Sequence, residues 1–157
     1  MKNATLNNEL TLSYPDDFEA MDAETLGKIS QGKDTEGWGV WDPGHHVVIT
    51  VLREHKNSLL LKLADPRAAA KQNEKATRKL YAGHGYEFGT FFTKTIAERE
   101  AAGYTYTFDD NGSVRSVKVL LVKHGGSSYG ILCSCPQDEL DAMGPVFDQV
   151  FDSIALA

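Results

Sequence analysis

The sequence predicts an α+β fold, a twisted antiparallel β-sheet with helices packed against it. Most of the patterned segments alternate apolar and polar residues with the period of two that half-buried strands show. The strands come in groups rather than alternating with helices, which argues against a doubly wound parallel sheet. A chain of 157 residues has the size of one domain, so residues 1–157 are expected to form a single α+β domain.

The N-terminal part of the chain carries a strand signal and a helix signal. Residues 10–14 alternate apolar and polar side chains, and Pro15 ends this predicted strand. Residues 22–29 are predicted to form a short helix. Asp22 is its expected N-cap, because an aspartate oxygen can accept a hydrogen bond from a free N–H group of the first turn.

A β-hairpin is predicted within residues 38–55. Residues 42–44, Asp-Pro-Gly, form its turn, because proline fixes φ and glycine accepts a positive φ. Alternate residues from 47 to 51 are apolar and define one face of the returning strand. The leucines within 59–63 then predict either a further strand or an apolar connection.

The best-marked helix begins at Asp65-Pro66, with Asp65 as N-cap and proline at the first helical position. Gly83 follows the expected last turn and is predicted to be its C-cap. Three apolar residues recur at helical spacing and are expected to lie on the sheet: Ala69, Ala76 and Leu80.

The second half of the chain predicts an antiparallel meander. Residues 87–96 are rich in Phe and Thr, and residues 104–108 alternate aromatic side chains with threonines. Asn111-Gly112 is a strong hairpin signal. A long strand is predicted over 114–123, and a Gly- and Ser-rich turn leads from it into a last strand over 129–135.

A C-terminal helix is predicted after Pro136, where Asp138 and its acidic neighbours oppose the helix dipole. Pro145 is expected to kink or divide this helix, because it lacks an N–H group and clashes with the preceding turn. The apolar residues expected to pack on the sheet are Leu140, Met143, Phe147, Val150, Phe151 and Ile154.

Composition argues against several classes of function. The net charge is −6 and the sixteen Lys and Arg residues are scattered, so neither a nucleic-acid surface nor an anionic-membrane surface is expected. No apolar run approaches the roughly 18 residues of a transmembrane segment. The N-terminus lacks the apolar region of a signal peptide. A cytoplasmic location is therefore expected, or an extracytoplasmic one if a leader was removed.

The two cysteines, Cys133 and Cys135, are two residues apart in a predicted strand. Same-face neighbours at that spacing lie about 6.5–7 Å apart, too far for an unstrained disulfide. A zinc site would need two further ligands, and no second Cys pair exists. Both are predicted to be buried or half-buried side chains.

No motif predicts catalysis, a metal or a cofactor. Residues 126–130 match G-x-S-x-G, but a nucleophile elbow needs a helix after the serine, and here a strand is predicted, which favours a hairpin turn. Gly-rich residues 83–89 leave a helix and enter a strand, the reverse of a phosphate-binding loop. The five histidines lack metal-binding spacing.

The tentative binding residues lie in the predicted hairpin and are Trp38, Trp41, His45 and His46. Tryptophans near a Gly/Pro turn can form an exposed recognition surface, since Trp is a common interface anchor. The alternative, that both tryptophans belong to the end of the core, is favoured because Trp is usually mostly buried.

Residues 10–18, Leu-Thr-Leu-Ser-Tyr-Pro-Asp-Asp-Phe, resemble the first strand and following corner of PsbP/Mog1-like domains, including the bacterial DcrB-related group. The Tyr-led strand at 129–132 and the last helix at 146–154 resemble them too. The resemblance implies a twisted antiparallel sheet with helices. Members are photosystem accessory subunits, a nuclear-transport cofactor, secretion-effector chaperones and bacterial lipoproteins, which share binding roles rather than an active site.

The leading hypothesis is a non-enzymatic domain that binds another protein, as an adaptor or as an assembly factor or chaperone. One alternative is a small hydrolase or metal-dependent enzyme that uses dispersed histidines, with Ser128 or His84 near a cleft. A further alternative is a structural domain that associates with itself.

Overall fold

The computed structural model describes residues 1–30, 35–54 and 65–157. The leucines predicted at 59–63 as a strand or connection lie outside the described residues. The strands, in chain order, are β1 (Lys2–Leu6), β2 (Leu10–Tyr14), β3 (Glu19–Ala20), β4 (Thr35–Asp42), β5 (Val47–Glu54), β6 (Glu87–Ile96), β7 (Arg99–Asp110), β8 (Ser113–His124), β9 (Ser127–Pro136) and β10 (Ala155–Leu156). The helices are α1 (Ala23–Ser30), α2 (Pro66–Leu80) and α3 (Leu140–Asp152), with a 3-10 turn at Gln137–Glu139.

The described strands form two sheets in which all pairs are antiparallel. The larger sheet has the order β3-β4-β5-β9-β8-β7-β6, and the smaller has the order β1-β2-β10. Hairpins connect β4 to β5, β7 to β8 and β8 to β9, as the turn signals predicted. A further hairpin connects β6 to β7 through Ala97 and Glu98, where the sequence contains no turn signal. The α+β prediction is confirmed, and with it the twisted sheet that helices cover.

One face of the larger sheet packs against α3 and the smaller sheet. Leu10 and Leu12 of β2 are fully buried there against Ile49 of β5 and Ile131 of β9. From α3 come three buried side chains of the predicted stripe, Phe147, Val150 and Phe151. Leu140, in contrast, is 40% exposed.

Helix α3 continues through Pro145 as one helix, so the alternative of a divided helix is wrong. Because Pro145 has no N–H group, the carbonyl of Asp141 lacks its helical hydrogen bond, and this is the one such bond that the proline removes. Asp141 is exposed in the first turn, where a free carbonyl costs little because solvent can reach it.

The opposite face of the sheet packs against α2, but not with the residues predicted. Ala69 is buried as expected, whereas Ala76 is exposed and Leu80 is 44% exposed. The buried face instead runs through Ala70 and Glu74. The reason is that the sheet beneath supplies tyrosine hydroxyls, so the helix turns polar side chains inward.

Both helix starts have the predicted caps. Asp22 Oδ1 accepts a hydrogen bond of 2.7 Å from the N–H of Thr25, and Asp65 Oδ1 accepts one of 3.0 Å from that of Arg67. Gly83, predicted to be the C-cap of α2, lies beyond it: the helix ends at Leu80, and Gly83 has φ 84° in the following turn.

Candidate functional site

The hairpin of β4 and β5 places its two tryptophans on opposite faces of the sheet. Trp38 pairs with Val51 and Trp41 with Val48, so their side chains point in opposite directions. Trp38 is half-buried on the core face, where its ring meets that of Tyr14 edge to face, with centroids 5.4 Å apart. Trp41 is half-buried on the other face.

His45 and His46 lie in the turn that ends this hairpin. His45 Nδ1 is 2.8 Å from Asp42 Oδ2, and this hydrogen bond raises the pKa of the exposed His45 and lowers that of Asp42. His46 has φ 55°, and its carbonyl accepts a hydrogen bond of 2.7 Å from Arg115 Nη2. The four tentative residues therefore do not share one surface, and their role in binding stays a prediction.

The G-x-S-x-G segment forms a hairpin turn, as predicted. Strand β9 begins at Ser127, whose Oγ accepts a hydrogen bond of 3.0 Å from Arg53 Nε, and Ser128 is 1% exposed. His84 is exposed after α2, and His124 is half-buried at the end of β8. Within residues 1–30, 35–54 and 65–157, no group of three or more His, Cys, Asp or Glu side chains is placed to hold a metal ion.

The two cysteines are free and buried. Burial raises the pKa of the Cys135 thiol to about 11, and it raises that of Cys133 further above its ordinary value. Both thiols are therefore protonated at neutral pH, which makes them poor nucleophiles.

A groove of about 440 Å³ lies between the first half of α3 and strands β6, β7 and β8. It is on the face of the sheet that carries α3, at the end of that helix nearest its N-terminus. Its lining includes Phe88, Gly89, Thr105, Ser116, Leu140 and Gly144. Its volume falls within the range of about 300–1,000 Å³ that is typical of binding pockets.

Leu140 is the exposed apolar side chain at the mouth of this groove, and it is 40% exposed on the wall formed by α3. The ring of Phe88 lies on the other face of the sheet, where it packs on Phe91, because Phe88 pairs with Tyr106 of the cluster beneath α2. At Gly144 an added Cβ would meet no atom within 4 Å. The absence of a side chain there leaves the wall formed by α3 open.

A buried hydroxyl in the groove has no partner in the described part of the chain. Ser116, on β8, is 6% exposed, and its Oγ makes no hydrogen bond with any described residue. Buried polar groups are nearly always hydrogen-bonded, because an unpaired one costs about 1–3 kcal/mol. A polar group of a bound ligand can supply the missing partner.

The charged side chains of the groove are mainly acidic. Lys118 Nζ lies 3.0 Å from Asp148 Oδ1 and also 4.9 Å from the centre of the Phe92 ring. The Lys118 ammonium is thus already paired. The carboxylate of Glu87 also lines the groove, so an incoming cation is favoured over an anion.

Strand β6 borders the groove and carries an irregularity where it does so. The pairing with β7 shifts between Phe88 and Phe91, and the N–H of Thr90 donates a hydrogen bond of 3.1 Å to Thr105 Oγ1. A Cβ at Gly89 would lie 2.3 Å from the same oxygen. Only glycine fits here, so β6 places no side chain on this face of the sheet at position 89.

Sequence reasoning missed this groove. Its defining features are two absent side chains, at Gly89 and Gly144, and one unpaired hydroxyl, at Ser116. These positions are distant in sequence and belong to no motif, so only the folded arrangement shows that they lie around one space.

Solved structures with the same arrangement of strands and helices define the class of fold. The cyanobacterial PsbP protein of Synechocystis sp. PCC 6803 has a TM-score of 0.74 at 13% identity, covering 99% of this chain and 92% of that chain. The Saccharomyces cerevisiae Ran-binding protein Mog1p has a TM-score of 0.61 at 12% identity, with coverage of 99% and 94%. LpqN of Mycobacterium tuberculosis, described as involved in cell envelope biogenesis, has a TM-score of 0.63 at 14% identity, with coverage of 94% and 83%.

The fold is therefore PsbP/Mog1-like, as the resemblance implied. Within that class, the chain belongs to the family described as the serine/threonine kinase C-terminal domain, whose model matches residues 28–156. None of the curated proteins matches the sequence. In the part of the chain that the structure describes, no helix is long and apolar enough to cross a membrane.

Proposed function

We propose that this domain is a non-enzymatic adaptor that binds a segment of a protein partner in the groove between α3 and strands β6 to β8. The observation that carries the proposal is the composition of the groove. Exposed Leu140 lies at its mouth, and the buried hydroxyl of Ser116 lacks a partner among the described residues. Apolar contact area with a few polar groups is what protein-binding sites combine.

The position of the groove favours a protein partner over a small molecule. The groove is lined on one side by β6, which is an edge strand of the larger sheet. A chain segment can therefore enter from the side, whereas small-molecule sites usually enclose most of their ligand.

The known proteins of this fold and family support a binding role. One structural neighbour is a Ran-binding protein, and the family description associates this domain with serine/threonine kinases. A domain with this role brings a partner to the protein that carries it. The fold alone does not determine the partner, because one fold supports many functions.

A capture experiment with two matched leucine variants tests this proposal. The immobilised chain is exposed to lysate of the source organism, and bound proteins are quantified by mass spectrometry. Leu140→Glu places a charge at the mouth of the groove, while Leu80→Glu places one on an equally exposed leucine of α2, 44% against 40%. We expect one stoichiometric partner with the wild type and with Leu80→Glu, and its loss with Leu140→Glu. Equal capture by the two variants would contradict the groove as the site.

A further inference from the structure

Resting on this proposed function, we infer that the partner segment binds in extended form as an added strand on the free edge of β6, with a Lys or Arg side chain in the groove. In the described part of the chain, β6 has β7 as its one neighbour. Its outer row of backbone N–H and C=O groups therefore has no strand beside it. Edge strands of this kind pair readily with an extended peptide.

The length of β6 suits it to this role. It has 10 residues, and the six from Phe91 to Ile96 pair with β7 in unbroken register. The strand at the other edge of the same sheet, β3, has 2 residues. A partner strand can form several main-chain hydrogen bonds with β6 and hardly any with β3.

The groove lies where a side chain of the added strand can reach it. Side chains of a strand alternate between the two faces of a sheet, so every second side chain of the partner lies on the face that carries α3. Beside Gly89 no side chain of β6 blocks the path to the groove. A long side chain at that position reaches the groove beside the exposed Leu140, which can contact its aliphatic stem.

The charged residues of the groove favour a cationic side chain on the partner strand. The groove contains the carboxylates of Glu87 and Asp148 against the single ammonium of Lys118, which Asp148 already pairs. Asp138 and Asp141, on either side of Leu140 in sequence, are also exposed. Lys or Arg therefore gains an ionic partner here, and Asp or Glu meets repulsion.

A second copy of this chain fits the edge less well. The one basic residue of β6 is Lys94, and its ammonium contacts the Asp152 carboxylate of the same chain. A β6 strand from another copy would thus bring its own acidic Glu87 but no unpaired cation. The edge accordingly suits a different chain.

The test uses a random seven-residue peptide library displayed on phage and selected on the full chain. We expect enriched peptides to combine apolar residues with Lys or Arg. Their affinity for the Glu87→Lys variant should be about tenfold or more weaker, because the basic side chain of the peptide then faces another positive charge. Synthetic copies are then N-methylated at alternate backbone positions. Strand addition predicts that one alternate set abolishes binding while the other is tolerated, since only every second N–H faces β6.

The outcomes separate this inference from the proposed function. Suppose that the peptides fail to bind Gly144→Leu but still bind the wild type after N-methylation of either alternate set. This result would confirm the groove as the site and overturn strand addition. Peptides that bind Gly144→Leu as tightly as the wild type would overturn the groove itself. Failure to enrich any peptide, enrichment of acidic peptides, or a chain dimer in sedimentation equilibrium that competes with the peptides would also overturn the inference.

Discussion

The hydroxyl of Tyr86 donates a hydrogen bond of 2.8 Å to the carboxylate of Glu74, which is only 3% exposed. Arg78 donates to both oxygens of the same carboxylate, at 3.0 and 2.7 Å. A buried carboxylate needs such partners, because its desolvation is otherwise unfavourable. These bonds join α2 to the residue that precedes β6, and so help to fix the edge strand beside the groove.

Removal of the Tyr86 hydroxyl should destabilise the fold. Burial and the Glu74 carboxylate raise the pKa of Tyr86, so it stays a donor at neutral pH. We expect Tyr86→Phe to lower the free energy of unfolding by about 1–2 kcal/mol in urea denaturation, because one bond to a buried charged group is lost. Tyr14→Phe is the control, since the Tyr14 ring contacts Trp38 while its hydroxyl makes no hydrogen bond with another described residue. Equal midpoints for the two variants would contradict the importance of this bond.

Two glycines should respond oppositely to the same change. A Cβ at Gly103 would lie 1.9 Å from the carbonyl oxygen of Val119 and 2.7 Å from the Phe92 ring. Gly103→Ala is therefore expected to destabilise the chain by about 1–3 kcal/mol or more. Gly27→Ala fills open space within helix α1 and should stabilise it by about 0.5–1 kcal/mol. Thermal unfolding measures both, and a stable Gly103→Ala would show that the β7–β8 contact is looser than described.

The edge-to-face contact of Trp38 with Tyr14 should be measurable as a coupling energy. A double-mutant cycle with Trp38→Leu and Tyr14→Leu is expected to give about 0.5–1.5 kcal/mol. The same cycle with Trp41→Leu should be additive, because Trp41 points to the opposite face of the sheet. Coupling of Tyr14 with Trp41 instead would mean that the register of β4 is wrong.

The His45–Asp42 contact should be visible in the titration of His45. The hydrogen bond to Asp42 is the main cause that raises the pKa of His45, with smaller contributions from Glu139 and Asp17. We expect Asp42→Asn to lower the pKa of His45 in an NMR titration toward its ordinary value of 6.5. An unchanged value would show that the contact does not persist in solution.

The same pair gives a pH dependence whose direction follows from both shifts. Because the folded-state pKa of His45 is raised, its stabilising contribution is complete below 6.5 and is lost as the pH rises through the folded-state value. Because the pKa of Asp42 is lowered, its contribution is present above 3.8 and is lost as the pH falls through the folded-state value. The wild type should therefore exceed Asp42→Asn in stability most clearly between these limits.

Much of the fold could be predicted because its signals are local. The alternation of apolar and polar residues and the turn at Asn111-Gly112 predict the meander from residues that are adjacent in sequence. The cap at Asp65 likewise depends on adjacent residues alone. By contrast β1 was not predicted, because its alternation is weak and its pairing with β2 supplies its order.

The face of α2 could not be predicted because it buries polar residues. Tyr104, from β7, donates a hydrogen bond of 2.5 Å to Asn73 Oδ1, and its hydroxyl lies 2.7 Å from Thr77 Oγ1. Such long-range partners have no signal in the helix itself, and apolar spacing alone predicts Ala76 and Leu80 instead. The groove was unpredictable for a related reason, since it depends on where side chains are missing.

The most direct test of the groove as a binding site is the affinity of the captured partner for two glycine variants. Gly144→Leu places a side chain in the groove, and Gly27→Leu places the same side chain on α1, where an added Cβ also meets no atom within 4 Å. Calorimetric titration should give unchanged affinity for Gly27→Leu and at least about tenfold weaker binding for Gly144→Leu, with both variants folded by circular dichroism. Equal affinity for the two folded variants would show that the partner binds elsewhere.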